Sequence, residues 1–353
     1  MEIERGVADK LTASKEFIAG RSGPLHVSVV FAMYKEHERI LSPDVNPIGE
    51  DFVNVKVNQL RALFDGDDGW DLVMVDDGCP DGSGSIAERI IEQEGYQNNA
   101  RVLYIADAIE QGHPVVSGLK SPDESRKGGA VEYGMYEAAQ RQLPGHVIVY
   151  TDADLSTHLG QIGLLVDALD RGAICAAGSR REPDSVVVKS GERNDRGKIF
   201  IYLWKQMLPQ LRGIIDSQCG FKGFSGALVP ELVQDTVEKQ FAFDIELLLR
   251  SELRRPESIT KVAVAWIDSE AGSTTSDLEP YLPMLKAVAR MYRRYSPNDR
   301  WAEGFVQLVE GMDQSGWETL VDNIPSSITS REPLEFSDWA GMNAAEVAKA
   351  TSL

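Results

Sequence analysis

The chain is poor in cysteine. Its 353 residues hold three, Cys79, Cys175 and Cys219, far apart and with no Cys-x-x-Cys pair. Neither a zinc ribbon nor a disulfide framework is indicated, and a reducing, cytoplasmic setting fits best. Long apolar runs are also lacking. No uninterrupted stretch approaches the ~18–20 residues of a membrane span, so no transmembrane anchor is expected. The most tempting segment, IFIYLWKQMLPQLRGII (199–215), is broken by Lys205, Gln206, Pro209, Gln210 and Arg212 and predicts an amphipathic helix. The amino terminus, MEIERGVADKLTASKEF, has no apolar signal core. Basic residues are scarce: 36 Lys+Arg against 55 Asp+Glu leave a net charge of −19. This argues against a nucleic-acid partner and gives no help toward an anionic membrane. Excess acid reads as a solubility trait.

What is present is alternation. Strands are predicted at 26–34, 70–77, 100–107, 146–154 and 173–180, with helices at 53–64, 85–95, 129–142 and 159–172 between them. That order implies an α/β fold with a parallel sheet and helices on both faces. A polar loop is expected from 108 to 126 and another from 181 to 198. Residues 1–25 read as a lead-in, and 281–295 (YLPMLKAVARMYRRY) as an arginine-rich helix. In such sheets ligands bind beyond the carboxyl ends of the strands. The polar clusters sit there: Tyr34-Lys35-Glu36, Asp76-Asp77, Asp152 and Asp154, and Gly178-Ser179-Arg180.

The stretch VIVYTDADLSTHLGQ (147–161) poses the central problem, because a buried strand runs into two carboxylates. Residues two apart in an extended segment point the same way, so Asp152 and Asp154 can converge. Three readings are open: general acid and base for hydrolysis, a hard-cation site against a diphosphate, or a structural turn. The rest of the chain bears on the choice. The first strand lacks a following Gly-rich phosphate loop, which weighs against dehydrogenase and NTPase. Asp76 is placed to accept the imide N–H of a uracil. RKGGA (126–130) opens a helix, a place that attracts anions.

The ordered series SVVFAMYKE, VMVDDGCPDGS, RKGGAVEYGM, YTDADLST, GSR, DSQCGFKGF, FAFDIELL and AWIDSEAGS resembles the family-2 glycosyltransferases of GT-A fold. Within them it is most similar to the branch making dolichyl- or polyprenyl-phosphate glucose and mannose. The resemblance spans about 26–290. It implies a GT-A domain with a mixed, mainly parallel sheet, a nucleotide-sugar half at 26–180, an acceptor half at 181–290, and a mostly helical extension at 291–353. It implies that Ala32, Tyr34 and Glu36 line the nucleoside pocket, that Asp76 and Asp77 lie by the base, and that Lys127 and Gly128 touch nucleotide. Cys79-Pro80 departs from the serine usual there. Asp152 and Asp154 match the metal-binding motif for Mg²⁺ or Mn²⁺, with Asp152 also toward the donor. Where the phosphomannose branch places a glutamine this chain has Ser156, so His158 becomes the candidate third ligand, against a plain helix-start histidine. Arg180 matches the GSR that faces phosphate. Gln218, Gly220, Phe221 and Lys222 match the acceptor-side loop.

The implied reaction is inverting transfer of a hexose, glucose favoured, from a UDP-sugar. A phosphate acceptor needs no base but needs cations, for which Arg180, Arg193, Arg196 and Lys198 are candidates. A hydroxyl acceptor needs a base, for which Asp244 is the candidate, against a helix N-cap. The acceptor is open between a soluble compound and a polyprenyl phosphate. A soluble member would dock peripherally on a membrane through 199–215, use a membrane partner, or act on a soluble compound. The tail 296–353 would cover the acceptor site or form a homo-oligomer contact. The alternatives are a sugar-nucleotide-forming nucleotidyltransferase and a non-catalytic nucleotide-sugar binder.

Overall fold

The computed structural model describes residues 2–189, 195–268, 281–337, 339 and 341–350. A seven-stranded sheet forms the centre. Its strands are β1 (His26–Met33), β2 (Trp70–Asp76), β3 (Ala100–Tyr104), β4 (His146–Thr151), β5 (Cys175–Ser179), β7 (Phe221–Ser225) and β8 (Ile259–Ala263), in the order β3-β2-β1-β4-β7-β5-β8. A parallel pair, β6 (Val186–Val188) and β9 (Ala265–Ile267), stands apart. Strand β7 runs antiparallel to β4 and β5; the other pairings are parallel. This is the mixed, mainly parallel α/β sheet expected from the alternation.

The central strands are apolar because helices cover both faces. Every residue of β2 and β4 is buried, as a parallel strand between two helix layers must be. On one face lie α1 (Glu2–Gly20), α2 (Phe52–Phe64), α3 (Ser83–Glu94) and α6 (Ile162–Asp170). The other face carries α5 (Gly128–Ala139), α7 (Asp195–Met207) and α9 (Phe243–Arg254), with α4 (Ile105–Glu110) and α8 (Val229–Val233) at its margins. The carboxy-terminal helices α10 (Tyr281–Tyr295), α11 (Arg300–Gly311), α12 (Gln314–Asp322), α13 (Ser326–Thr329) and α14 (Ala344–Ala350) join that second layer.

Four sequence expectations are refined. The lead-in is a helix whose buried Ser14 hydroxyl accepts from the Gly163 amide of α6 at 2.8 Å. The strand expected to 107 stops at Tyr104 and turns into α4. The helix 199–215 has no outer apolar face to dock on a membrane. Residues 199–207 are all buried, and Gln206 accepts from the Trp301 indole N–H at 2.7 Å. Lys205 gives its ammonium to the Ile214 carbonyl at 2.9 Å, and Pro209 starts a separate short turn. The boundary at 290/291 falls inside α10, which packs on α7 together with α11. Among the described residues no helix is long and apolar enough to cross a membrane.

Strand order fixes where a ligand can enter. From β1 the chain winds outward through β2 and β3, then returns to place β4 on the other side of β1. The β1/β4 boundary is therefore a switch point, where the loops diverge and leave a crevice. The residues after β1 and β4 are 34–36 and 152–154.

Candidate active site

Four strand ends and the start of β7 meet at this crevice. Asp152, directly after β4, receives the Lys127 ammonium. Lys127 precedes α5 in a turn where Arg126 (φ 40°) and Lys127 (φ 84°) both adopt left-handed backbone, a conformation costly for residues with a Cβ. The Lys127 amide meanwhile donates to Asp77 Oδ2 at 2.6 Å. One strained residue thus ties the end of β2 to the end of β4. The pair is a third exposed, Lys127 at 33% and Asp152 at 32%, so it faces the crevice. Burial pushes the Asp152 carboxyl up, but Lys127 overrides this and holds it below the usual carboxylate range. Asp154 is pushed up, by burial first and then by the neighbouring Asp152 charge. Its Oδ1 accepts the Ser156 amide at 3.0 Å.

Beneath this turn lies Lys56 of α2. It is fully buried, and its ammonium donates to the main-chain carbonyls of Asp152 (3.1 Å) and Asp154 (2.8 Å). Opposite, Gly220 abuts Asp152. A Cβ there would stand 2.5 Å from Oδ1, with the rest of the carboxylate closer still. Antiparallel pairing of Phe221 with Thr151 brings this glycine to the end of β4.

Asp76 does not fit its expected role. Its Oδ1 accepts the Cys79 amide and its Oδ2 the Gly84 amide, each at 2.8 Å, so both oxygens already serve the turn into α3. Asp77 keeps a buried Oδ1 without a hydrogen-bond partner. Burial raises its carboxyl to about 6. The Cys79 departure is accommodated, since its Sγ accepts the Lys35 amide at 3.2 Å and joins the β1 and β2 turns. Tyr34 stands exposed at the rim, and Ala32 is half-buried against the core. Glu36 is buried and paired with Arg39 at 3.0 Å. Gly128 packs against the carbonyls of Gln240 (2.5 Å from a built Cβ) and Lys239 (2.7 Å). The α5 amino terminus offers little to an anion. The Gly129 amide goes to the Lys239 carbonyl and that of Ala130 to Ser125 Oγ.

On the far side, Arg180 makes a two-pronged pair with buried Asp216, Nε to Oδ2 at 2.8 Å and Nη2 to Oδ1 at 2.7 Å. Its guanidinium also lies 5.2 Å from the Trp266 ring. Lys222 is no acceptor ligand. It is fully buried and donates to Tyr150 Oη (2.8 Å), the carbonyls of Ser217 (3.0 Å) and Cys219 (2.7 Å), and Asp244 Oδ1 (2.6 Å). Asp244 is correspondingly neither an N-cap, since Ala242 holds that position, nor open to an acceptor hydroxyl. Burial drives the two toward each other, the carboxyl up and the ammonium down. Phe221 is buried in the core. Gln218 keeps a buried Nε2 without a partner. Lys198 donates to the Thr329 carbonyl at 2.6 Å, so it is not available as expected. Arg196 lies on α7, and Arg193 falls outside the described residues. His158 Nδ1 accepts the Gly160 amide at 2.9 Å, which matches a helix-start histidine instead of a metal ligand.

Sequence reading missed Lys56 and Asp216. A signal for the first existed: Val53, Lys56, Val57 and Leu60 share the buried face of α2, where a lysine is anomalous. Asp216 stands in the quoted DSQCGFK without a role.

The donors at the β4 end are carboxylate oxygens, the ligand type that hard divalent cations take. The mutual repulsion of Asp152 and Asp154 is what such an ion relieves, so these two residues fit Mg²⁺ or Mn²⁺.

The seven-stranded, mainly parallel sheet with helices on both faces defines an α/β fold. Residues 49–226, half of the chain, match the Glycosyl transferase family 2, and the chain belongs to that family. It is 29% identical over 261 residues to Glycosyltransferase AglD of Haloferax volcanii, covering 74% of this chain and 36% of that one. The chain thus spans about a third of that relative's length. It is 25% identical over 280 residues to the dolichyl-phosphate beta-glucosyltransferase of Dictyostelium discoideum, covering 77% of this chain and 75% of the other. Among solved structures, mannosyl-3-phosphoglycerate synthase from Rubrobacter xylanophilus matches with a TM-score of 0.47 and 18% identity, over 80% of this chain and 76% of that one.

Proposed function

We propose that the chain transfers glucose from a UDP-sugar, with inversion, to an acceptor that carries a phosphate. The observation that carries this is the Lys127–Asp152 pair with Asp154 beside it, at the crevice where β1 and β4 part. Similarity to dolichyl-phosphate beta-glucosyltransferases favours glucose and a lipid phosphate.

In this reading Asp77 accepts a donor N–H at the base. Asp152 and Asp154 hold Mg²⁺ or Mn²⁺, whose chemistry when bound is to neutralise the diphosphate as the sugar leaves. Lys127, held at the crevice by Asp152, supplies further positive charge to the departing group once the cation takes that carboxylate. Arg180, oriented by Asp216, holds the acceptor phosphate through the guanidinium edge that Asp216 leaves. A phosphate oxygen is already anionic and attacks without a base. That choice of acceptor fits the burial of Asp244 against Lys222, which removes the candidate base from an incoming hydroxyl.

The test is UDP release from UDP-glucose with Mn²⁺, supplying a polyprenyl phosphate or the matching free alcohol. Turnover with the phosphate, lost in Asp154→Ala, is expected. Equal turnover with the alcohol would refute the phosphate acceptor, and an active Asp154→Ala protein would refute the cation role.

A further inference from the structure

Lys56 is a charge in the wrong place for stability. It has no exposed surface, and among the described residues no carboxylate lies within ion-pair distance of its ammonium. Its described partners are two main-chain carbonyls, Asp152 at 3.1 Å and Asp154 at 2.8 Å, and the face of Phe31, 5.3 Å away. Taking a lone ammonium out of water costs several kcal/mol, and two carbonyl contacts with no paired carboxylate return only part of it. Stability therefore does not account for a lysine among Val53, Val57 and Leu60.

Its partners suggest another reason. The two carbonyls belong to the two acidic residues of the β4 turn and to no others. Fixing both carbonyls with one ammonium sets the peptide plane that follows each acidic residue, 152–153 and 154–155, and so holds the backbone from which each carboxylate projects. The same helix grips the chain again five residues on, where Gln59 Oε1 accepts the Leu159 amide at 2.9 Å. Helix α2 therefore clamps 152–159 at three points. The ammonium also sets a fixed positive charge under two carboxylates that repel each other.

We propose that Lys56 is a positioning residue for the transfer: it holds the Asp152–Asp154 turn so that both carboxylates are presented together to a divalent cation and the donor diphosphate. This rests on the donor-site reading given above. Its signature is that stability and ligand binding part company on substitution.

Calorimetry of UDP binding in the presence of Mn²⁺, with melting curves of the unliganded protein, tests it. Lys56→Met should stay folded, with a melting temperature close to wild type, yet bind UDP with Mn²⁺ about 10-fold more weakly. Lys56→Arg, which keeps charge and donors, should recover part of that loss. Lys56→Gln is the second variant: it keeps one N–H donor and no charge, and should fall between Met and wild type. Unchanged binding in Met and Gln would overturn the proposal alone. So would unfolding of both, because that would make Lys56 a stabilising residue. No UDP binding by the wild-type protein would overturn the donor-site reading and this proposal together.

Discussion

Gly220→Ala adds one methyl group and should disable the site while leaving the fold intact. The built Cβ stands 2.5 Å from Asp152 Oδ1 and closer to the remaining carboxylate atoms. Ordinary carbon–oxygen contact needs roughly 3.4 Å, so something must move by about 1 Å. The Asp152 carboxylate is the group that yields, since Gly220 is held by the β4–β7 pairing that starts at Thr151 and Phe221. A misplacement of about 1 Å at a reacting centre costs on the order of 10²-fold in rate. That corresponds to about 2.7 kcal/mol of barrier. The fold should lose less, about 1–2 kcal/mol, because the methyl group points into a crevice and not a packed core. UDP release from UDP-glucose with Mn²⁺, measured beside a urea unfolding curve, separates the two. Full activity in the Gly220→Ala protein would refute the placement of Asp152 at the reacting centre.

Other substitutions test the surrounding contacts. Asp77→Asn should weaken UDP binding about 10-fold with little change in melting, whereas Asp76→Ala should lower stability by about 1–2 kcal/mol, because two turn amides lose their acceptor; calorimetry and urea curves read the two effects. Lys222→Met leaves Asp244 buried without its partner and should cost about 3–5 kcal/mol, while adding Asp244→Leu should restore most of it. Urea midpoints of the single and double variants decide. At the opposite end of the sheet, Ser28 Oγ lies 2.8 Å from His146 Nε2 and 2.5 Å from Asp71 Oδ1, and burial pushes His146 down to about 4. The unfolded chain binds that proton near 6.5, so the folded state keeps this stability above pH 6.5 and loses it as pH falls toward 4. The loss reaches up to about 3 kcal/mol. Urea midpoints from pH 7 to 4 should fall more steeply in wild type than in His146→Gln.

Much of the architecture was legible because periodicity encodes burial. The strands β1, β2, β4 and β5 and the helix α10 stand where apolar spacing placed them. Directions within the crevice were not legible. Asp76 and Asp77 are neighbours at a strand end, so they point to opposite sides, and no local pattern says which one the turn consumes. Lys205 and Gln206 read as the polar side of an amphipathic helix, and Lys222 as an acceptor-side residue. Each is buried and satisfied by partners on other elements, a tertiary fact that spacing does not carry. Lys198 likewise read as a free cation, but the Thr329 carbonyl takes it, and Arg180 is oriented by Asp216; both partners are distant in sequence.

The account turns on the β4 carboxylates meeting a cation and a nucleotide diphosphate. Anomalous diffraction from crystals grown with UDP and Mn²⁺ tests this most directly. A manganese peak at the Asp152 and Asp154 carboxylates, with UDP beside it, is the expected result. UDP seated elsewhere, or Asp152 still held by Lys127 with no metal beside it, would contradict the account.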